Sequence, residues 1–336
     1  MAEAPMTIGL VHGDPQGMAL LLERDGLYSE ALARLHGERF LAYRRSWKER
    51  GLMGDPGHFP LSLDLRLNPG CQLACVMCPM QGRKALAKGP GMPLPLLRRL
   101  LSEGREHGLP AVTLGLASEP LLAKGLFDAL GLCGRAGVMD IRLGTNGLGL
   151  SKAKSERLLD SPLTRLEVSV DATNASTYRA IRGGDYDSLI RKIEGFLGLR
   201  AKKGQSFPLL RLSFLRLPQN EGELPGFLSL WKDRADMLSI QRPVWFPDSR
   251  LPKPDGLGEE DSSTHCGQPW QRLGVLEDGS LWPCCSWYGE GMLALDAKKS
   301  GISELWRGEE MEGLRKSLKD GNAPAPCAAC QAAGAH

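Results

Sequence analysis

The amino-acid sequence predicts an α/β protein built on a parallel sheet, because six short apolar segments alternate with helical patterns along much of its 336 residues. Each segment is rich in leucine or β-branched residues and is bounded by Gly, Pro, Asn or Asp, which is typical of strands. The predicted strands are 61–67, 111–116, 139–144, 165–170, 209–216 and 236–240. The helical patterns are 95–108, 121–137, 151–160, 188–204 and 221–234. This alternation indicates a parallel sheet, open or closed into a barrel.

Three further segments flank this alternation. Residues 1–55 contain a charged amphipathic stretch and are predicted to form a helical N-terminal extension to the core at 56–241. Residues 242–264 are rich in Pro, Asp and Ser, which indicates a linker. Residues 265–336 carry several cysteines and are predicted to form a second, smaller domain.

Composition limits the possible functions. The 42 Lys and Arg residues nearly balance the 39 Asp and Glu residues, so the chain lacks the basic character of a nucleic-acid-binding protein. Its N-terminus lacks the pattern of a signal peptide, and no run approaches the ~18 apolar residues of a membrane span. We therefore expect a cytoplasmic protein without a nucleic-acid or membrane partner. In that setting the nine cysteines indicate metal binding rather than disulfides.

Polar residues follow the ends of five predicted strands. Cys71 follows the first strand, 118–120 the second, 145–147 the third, Asp171 the fourth and 219–220 the fifth. Each group alone is common turn chemistry. Because the carboxyl ends of parallel strands meet at one edge of a sheet or barrel, we expect these residues to gather at a shared rim that carries the site.

Three cysteines on one loop indicate the chemistry of this rim. Cys71, Cys75 and Cys78 have the spacing C-x3-C-x2-C. A structural zinc site uses four ligands, whereas three thiolates suit three irons of a cubane cluster and leave the fourth iron open. This stretch resembles the signature of the radical S-adenosylmethionine (SAM) superfamily. In that family the amino and carboxylate groups of SAM bind the open iron.

The resemblance extends over residues 61–330 and implies both a fold and an activity. The implied fold is a partial (β/α)6 barrel with an N-terminal helical extension and a small C-terminal iron-sulfur domain. The implied activity is reductive cleavage of SAM at a 4Fe-4S cluster, which gives a 5'-deoxyadenosyl radical that abstracts hydrogen from the substrate. An electron donor such as flavodoxin or ferredoxin is implied as a partner.

Two residues after the second strand are implied to bind SAM. The family often has Gly-Gly-Glu-Pro there, where this chain has Ala-Ser-Glu-Pro at 117–120. The resemblance therefore places Ser118 and Glu119 near the amino group of SAM. The family also often has an aromatic residue before the third cysteine, where this chain has Met77.

Three further residues are implied to contact SAM. Asn146 fits a ribose or carboxylate contact. Ser169 and Arg182 are expected to reach the SAM carboxylate, since a guanidinium group binds carboxylates through two hydrogen bonds. Arg182 is equally compatible with a surface arginine on a helix.

The C-terminal segment contains candidate ligands for a second site, Cys266, Cys284, Cys327 and Cys330. A hairpin turn is predicted at 278–279, between the first two of them. Four thiolates fit zinc. Beside a radical SAM core, however, the pattern resembles a twitch or truncated SPASM domain, which implies one auxiliary 4Fe-4S cluster. Cys285 neighbours Cys284 and points to the opposite face of an extended segment, so only one of the two is expected to be a ligand, and the family spacing favours Cys284.

A cluster closed by four cysteines is expected to accept or relay an electron. The four-cysteine pattern is similar to that of radical SAM dehydrogenases that act on aminocyclitols, so we expect oxidation of a carbohydrate, cyclitol or related small molecule. One alternative is a maturase that modifies a ribosomally made peptide. Another is a non-catalytic zinc or iron-sulfur binding module, against which the incomplete three-cysteine loop argues. Cys133 lies in an apolar helix and is predicted to be a buried structural thiol.

Overall fold

The computed structural model describes residues 6–9, 18–24, 27–81, 89–243, 250–252, 266–284 and 295–332. Most of the predicted linker, and Cys285, lie outside these ranges. The described strands are β1 (Met6–Gly9), β2 (Met18–Arg24), β3 (Ser62–Leu65), β4 (Ala111–Leu114), β5 (Asp140–Thr145), β6 (Arg165–Ser169), β7 (Leu209–Leu215), β8 (Met237–Gln241), β9 (Arg272–Val275) and β10 (Leu281–Trp282).

The described helices alternate with the strands of the core and then follow them. They are α1 (Leu27–His36), α2 (Glu38–Gly51), α3 (Leu94–Glu106), α4 (Leu126–Arg135), α5 (Lys152–Leu159), α6 (Ala175–Arg182), α7 (Tyr186–Lys202), α8 (Leu224–Trp231), α9 (Gln268–Gln271), α10 (Ile302–Trp306), α11 (Glu309–Lys319) and α12 (Ala325–Ala332). None of these described helices has both the length and the apolar character needed to cross a membrane. Helix α4 buries Cys133 completely, as predicted.

The described strands form one sheet in the order β1-β2-β8-β7-β6-β5-β4-β3-β9-β10. Strands β3 to β8 are parallel neighbours in chain order, which confirms the six predicted strands. Alternate residues on these strands point to opposite faces. On β6, Leu166 and Val168 pack into the main apolar core with the helices, whereas Arg165, Glu167 and Ser169 take the opposite positions. The architecture is a partial (β/α)6 barrel with an apolar outer face and a polar inner face.

The N-terminal extension contains the predicted helices and also two strands that the sequence did not predict. Strands β1 and β2 form an antiparallel hairpin, and β2 pairs with β8 at one edge of the sheet. The sequence of β2, MALLLER, is composed of good helix formers, so the available pairing edge of β8 overrides local propensity. Helices α1 and α2 close the amino ends of the barrel strands through an aromatic cluster that includes Tyr28, Tyr43 and Trp47.

The C-terminal segment extends the same sheet beyond β3. Strand β9 pairs in parallel with β3, and β10 returns antiparallel to β9. Gly279 in the intervening turn has φ +89°, which confirms the predicted hairpin. The start of this segment packs tightly on the end of α2, because a Cβ atom on Gly267 would lie 2.2 Å from the carbonyl oxygen of Gly51. The Gln271 side chain also donates to the Trp47 carbonyl at 2.7 Å.

Replacing Gly267 with alanine is expected to lower the midpoint of thermal unfolding, because the added methyl group overlaps the Gly51 backbone. Overpacking of this kind costs about 1–3 kcal/mol. Gly313→Ala is the matched control, since its Cβ would meet nothing within 4 Å and helix α11 favours alanine by about 0.5–1 kcal/mol. Calorimetry of both variants measures the difference. An unchanged midpoint in Gly267→Ala would contradict the close packing of α2 on the C-terminal segment.

Candidate functional site

The first cysteine group, Cys71, Cys75 and Cys78, lies on the loop after β3, at the carboxyl end of the parallel strands. The N–H group of Val76 donates to the carbonyl of Ile181 at 2.9 Å, which fastens the loop to the end of α6. Inside the loop, the N–H group of Cys78 donates to the carbonyl of Cys75 at 3.2 Å. The structure therefore brings the three predicted cysteines to the predicted rim.

The three thiols influence one another's ionisation. Burial is the main cause of the raised pKa of Cys71 and Cys75, and it raises the pKa of Cys78 to about 11. A charge on Cys75 raises the pKa of both other cysteines further, so the three sulfurs lie within electrostatic range of one another. Such thiols are stabilised as thiolates when a metal replaces the protons.

Two side chains from other elements reach the sulfurs of this loop. The amide of Asn146 donates to Cys71 Sγ at 3.7 Å, and one guanidinium nitrogen of Arg182 lies 3.9 Å from Cys75 Sγ. The Asn146 oxygen accepts from the Gln72 side chain at 3.1 Å. The structure thus brings Asn146 and Arg182 to the cysteine loop, as expected for residues at the SAM site.

The segment that corresponds to Gly-Gly-Glu-Pro has the backbone of a glycine-containing loop. Ala117 has φ +49°, a left-handed conformation that glycine adopts without strain and alanine rarely adopts. The Ser118 hydroxyl is buried and has no hydrogen-bond partner among the described residues. Because a buried hydroxyl without a partner is costly, this group is available to a cofactor at the rim.

Glu119 has a different environment from the one expected for a free cofactor contact. Its carboxylate is buried and accepts from the Leu121 N–H at 2.9 Å, the Thr145 hydroxyl at 2.6 Å and the Asn146 N–H at 2.8 Å. Burial raises the pKa of Glu119, and these donors partly offset that increase. The structure therefore shows that Glu119 connects the loops after β4 and β5, in addition to any contact that it makes with SAM.

Arg182 is not a surface arginine, since its side chain is only 13% exposed. Its Nε donates to the Asp171 carboxylate at 2.6 Å, and a second guanidinium nitrogen pairs with the same oxygen. Burial alone would lower the pKa of Arg182, but Asp171 and Cys75 outweigh it and raise the pKa. The guanidinium therefore stays charged beside the cysteine loop.

Ser169 lies on β6, three strands along the sheet from β3, which precedes the cysteine loop. It pairs in register with Ser213 on β7, and the two hydroxyls are 3.4 Å apart. Ser239 on β8 is in register with Ser213. We call Ser169, Ser213 and Ser239 the hydroxyl row. The structure thus shows the predicted SAM residue Ser169 as part of the polar inner face of the barrel.

The second cysteine group is spread over the C-terminal segment. Cys284 lies just after β10, Cys327 and Cys330 lie on α12, and Cys266 precedes α9. Burial raises the pKa of Cys327 to about 12, with a further contribution from Cys266, so these two sulfurs are neighbours. Cys284 and Cys327 pack against one apolar cluster. The described part of the chain therefore groups the predicted ligands from three separate segments.

Both cysteine groups fit iron-sulfur clusters. The first supplies three thiolates from one loop, with the unpartnered Ser118 hydroxyl and the charged Arg182 beside it for a zwitterionic cofactor. The second supplies thiolates from three segments. Within the described ranges, no three His, Cys, Asp or Glu side chains are placed so that they could hold a single metal ion. A cubane cluster needs a different arrangement, with one thiolate on each iron.

Two residues of this site were not assigned a role from sequence. Asp171 was placed on the rim, but its pairing with Arg182 joins positions eleven residues apart through the turn into α6. Tyr178, on α6, has a buried hydroxyl near the same cysteine loop. The sequence signal for such a pair is an acidic residue at a strand end that is followed by an arginine about three helical turns later.

Replacing Glu119 with glutamine is expected to destabilise the protein by about 1–3 kcal/mol, because one oxygen becomes an NH2 group that faces backbone or hydroxyl donors. Urea unfolding of the protein without cofactors measures this loss. Glu221→Gln is the matched control, since its carboxylate is exposed and, among the residues that the structure describes, pairs with the exposed Arg216 alone. We expect the control to change stability by less than about 0.5 kcal/mol. Equal stability of the two variants would contradict the role of Glu119.

Comparison with known proteins agrees with this site. Residues 65–201 match the Radical SAM superfamily, and residues 266–331 match SPASM, an iron-sulfur cluster-binding domain. The chain is 33% identical over 181 residues to a probable GTP 3',8-cyclase of Methanococcus vannielii, covering 53% of this chain and 57% of that protein. It is 29% identical over 241 residues to the GTP 3',8-cyclase of Listeria welshimeri, covering 70% and 65%. The chain thus spans less than two thirds of the length of these relatives.

Solved structures show the same fold at low sequence identity. SuiB of Streptococcus suis bound to precursor peptide SuiA has a TM-score of 0.62 at 16% identity, covering 82% of this chain and 71% of SuiB. BtrN in complex with AdoMet and 2-DOIA has a TM-score of 0.50 at 16% identity, covering 77% and 87%. The cysteine loop, the rim residues and the two family matches lead to one conclusion. The chain carries a radical SAM domain that binds S-adenosyl-L-methionine and a 4Fe-4S cluster, followed by an iron-sulfur-binding SPASM domain.

Proposed function

We propose that this protein is a radical SAM oxidoreductase that converts a secondary alcohol of a carbohydrate, cyclitol or related small molecule into a ketone. One observation carries the proposal. The two cysteine groups pack against the same apolar cluster, beside a barrel whose inner face is lined with hydroxyl and charged groups. The first feature suits transfer of an electron, and the second suits a small polar substrate.

The inner face offers hydrogen-bond partners for a hydroxylated molecule. The hydroxyl row lies on three neighbouring strands at one register. Arg211 donates to the Ser239 hydroxyl at 2.7 Å, and one of its guanidinium nitrogens lies 3.7 Å from the carboxylate of Glu167. Arg142 lies at the same distance from the same oxygen. Hydroxyl, carboxylate and guanidinium groups together can recognise several hydroxyls of a sugar-like ring.

The barrel is closed where a long substrate would otherwise pass through it. Helices α1 and α2 cover the amino ends of the strands, where the hydroxyls of Tyr28 and Tyr43 both donate to Asp140. A substrate therefore enters from the rim, where the cysteine loop lies. This arrangement favours a compact molecule over a chain that threads the barrel.

The second cysteine group is suited to accept the electron that leaves the substrate. The shared apolar cluster includes Leu116, Trp270 and Trp282 as buried members, and Cys78 and Cys284 both pack against it. The cluster therefore connects the two groups through apolar side chains. Four thiolates would leave no open iron on the second cluster, which makes electron transfer its role rather than substrate binding.

The chemistry follows from these positions. When bound, the cofactors supply a 5'-deoxyadenosyl radical at the rim and a one-electron acceptor in the C-terminal segment. The substrate loses a hydrogen atom from its carbinol carbon to that radical, a proton from its hydroxyl group and one electron to the acceptor, and so becomes a ketone. We assign the proton to Glu167, because its Oε2 atom accepts no hydrogen bond among the described residues. A donor such as flavodoxin or ferredoxin supplies the electron that starts each turnover.

The relatives define the competing substrates. The curated relatives are named GTP 3',8-cyclases, so GTP must be tested. SuiB has been crystallised with a precursor peptide, so peptides must be tested as the alternative maturase function. BtrN has been crystallised with AdoMet and 2-DOIA, and supports the small-molecule class.

The test is anaerobic turnover with cyclitols, aminocyclitols, GTP and peptides, followed by mass spectrometry of 5'-deoxyadenosine and product. We expect one ketone per 5'-deoxyadenosine, with deuterium from the carbinol carbon transferred to 5'-deoxyadenosine. The double variant Cys327→Ala, Cys330→Ala is expected to release 5'-deoxyadenosine while ketone formation falls at least tenfold, because the electron acceptor is lost. Cys133→Ala, which removes a buried thiol outside both groups, should match the wild type. Conversion of GTP into a cyclised product would overturn the proposal. Turnover of peptides without turnover of cyclitols or aminocyclitols would also overturn it.

A further inference from the structure

Tyr178 on α6 carries a buried hydroxyl that the proposed reaction does not use. The residue is 0% exposed, and its hydroxyl has no hydrogen-bond partner among the described residues. Its ring packs in the main core and lies 5.8 Å from the ring of Tyr186. A phenylalanine would preserve this packing and avoid the cost of burying an unpaired hydroxyl. The hydroxyl therefore calls for a partner that the polypeptide alone does not provide.

Tyr178 lies on the face of α6 that approaches the cysteine loop. Tyr178 and Arg182 are four residues apart, so they lie on the same face of the helix. Arg182 reaches Cys75 Sγ at 3.9 Å, and the Cys75 thiol lies 3.8 Å from the Arg182 carbonyl oxygen. Gly184 is packed closely between Tyr178 and the cysteine loop. A Cβ atom added to Gly184 would lie 2.8 Å from the Tyr178 ring and 3.3 Å from the side chain of Leu73 in the loop.

The electrostatic surroundings of the hydroxyl agree with this placement. Burial raises the pKa of Tyr178 to about 12, and Arg182 and Cys75 are the two charged groups that affect it most. The phenol is therefore a neutral hydrogen-bond donor at physiological pH. Arg182 offers only donors, and both oxygens of the nearby Asp171 carboxylate are already engaged, which leaves the sulfur side as the acceptor that the hydroxyl lacks.

We propose that the Tyr178 hydroxyl donates a hydrogen bond to the SAM-binding 4Fe-4S cluster at the sulfur of its Cys75 corner. Reduction of the cluster adds negative charge to its sulfurs, so a donor stabilises the reduced state more than the oxidised state. The hydroxyl thereby raises the reduction potential of this cluster. This role concerns the resting cluster, and it does not depend on which substrate the enzyme oxidises.

The test is an EPR-monitored redox titration of the fully reconstituted enzyme in wild type and Tyr178→Phe. The SAM-binding cluster is identified by the change of its signal when SAM is added. We expect a more negative midpoint potential in Tyr178→Phe, with the C-terminal cluster unchanged. Tyr186→Phe is the matched control, because the charged groups that affect its hydroxyl are Glu223 and Asp187 rather than the cysteines. The control should match the wild type.

A second measurement separates a lost hydrogen bond from a general disturbance. Pulsed EPR in D2O should detect an exchangeable deuteron coupled to the reduced cluster in the wild type and in Tyr186→Phe, and this coupling should be missing from Tyr178→Phe. Equal potentials and equal deuteron couplings in wild type and Tyr178→Phe would overturn the proposal. An unchanged potential with weaker SAM binding would also overturn it, because the hydroxyl would then serve the cofactor and not the cluster. Neither the midpoint potential nor the deuteron coupling depends on alcohol oxidation, so failure of the oxidoreductase assay would be a separate result.

Discussion

The buried ion pair between Asp171 and Arg182 connects the sheet to the cysteine loop. Asp171 lies just after β6 and has φ +59°. Its carboxylate accepts from the Leu215 N–H at 2.7 Å, and its carbonyl oxygen accepts from the Asn220 amide at 2.8 Å. Its other carboxylate oxygen holds Arg182, which contacts Cys75. Breaking such a buried pair costs about 3–5 kcal/mol. Together with the other two hydrogen bonds of Asp171, the pair compensates for its left-handed backbone. The geometry of the first cluster site depends on this network.

The same rim explains why two iron-sulfur sites occur in one chain. Strand β9 continues the barrel sheet beyond β3, which brings the C-terminal hairpin beside the strand that precedes the cysteine loop. Trp270 and Trp282 of that segment are almost completely buried in the apolar cluster against which cysteines of both groups pack. Sheet extension therefore brings both groups against one apolar cluster. A cluster site at the rim and a second cluster site in the C-terminal segment follow from one architecture.

Local patterns were sufficient to predict the six barrel strands, the hairpin at Gly279 and both cysteine groups, because each depends on neighbouring residues. The features that the sequence did not reveal depend on pairing between distant segments. The helix-forming sequence of β2 becomes a strand only because β8 offers an edge, and β9 joins β3 across about 200 residues. Glu119 was expected at the cofactor, yet two of its three donors, Thr145 and Asn146, come from a loop that folding brings beside it. Strand parity alone could not show that Ser169 joins two other serines on the inner face.

The central claim is that the chain holds one open and one closed 4Fe-4S cluster. It is tested most directly by iron and acid-labile sulfide per chain after anaerobic reconstitution, in wild type and in the triple variant Cys71→Ala, Cys75→Ala, Cys78→Ala. We expect about 8 irons in the wild type and about 4 in the variant, with SAM altering the EPR signal of the wild type only. Zinc in the C-terminal site, with about 4 irons in the wild type and none in the variant, would contradict the account.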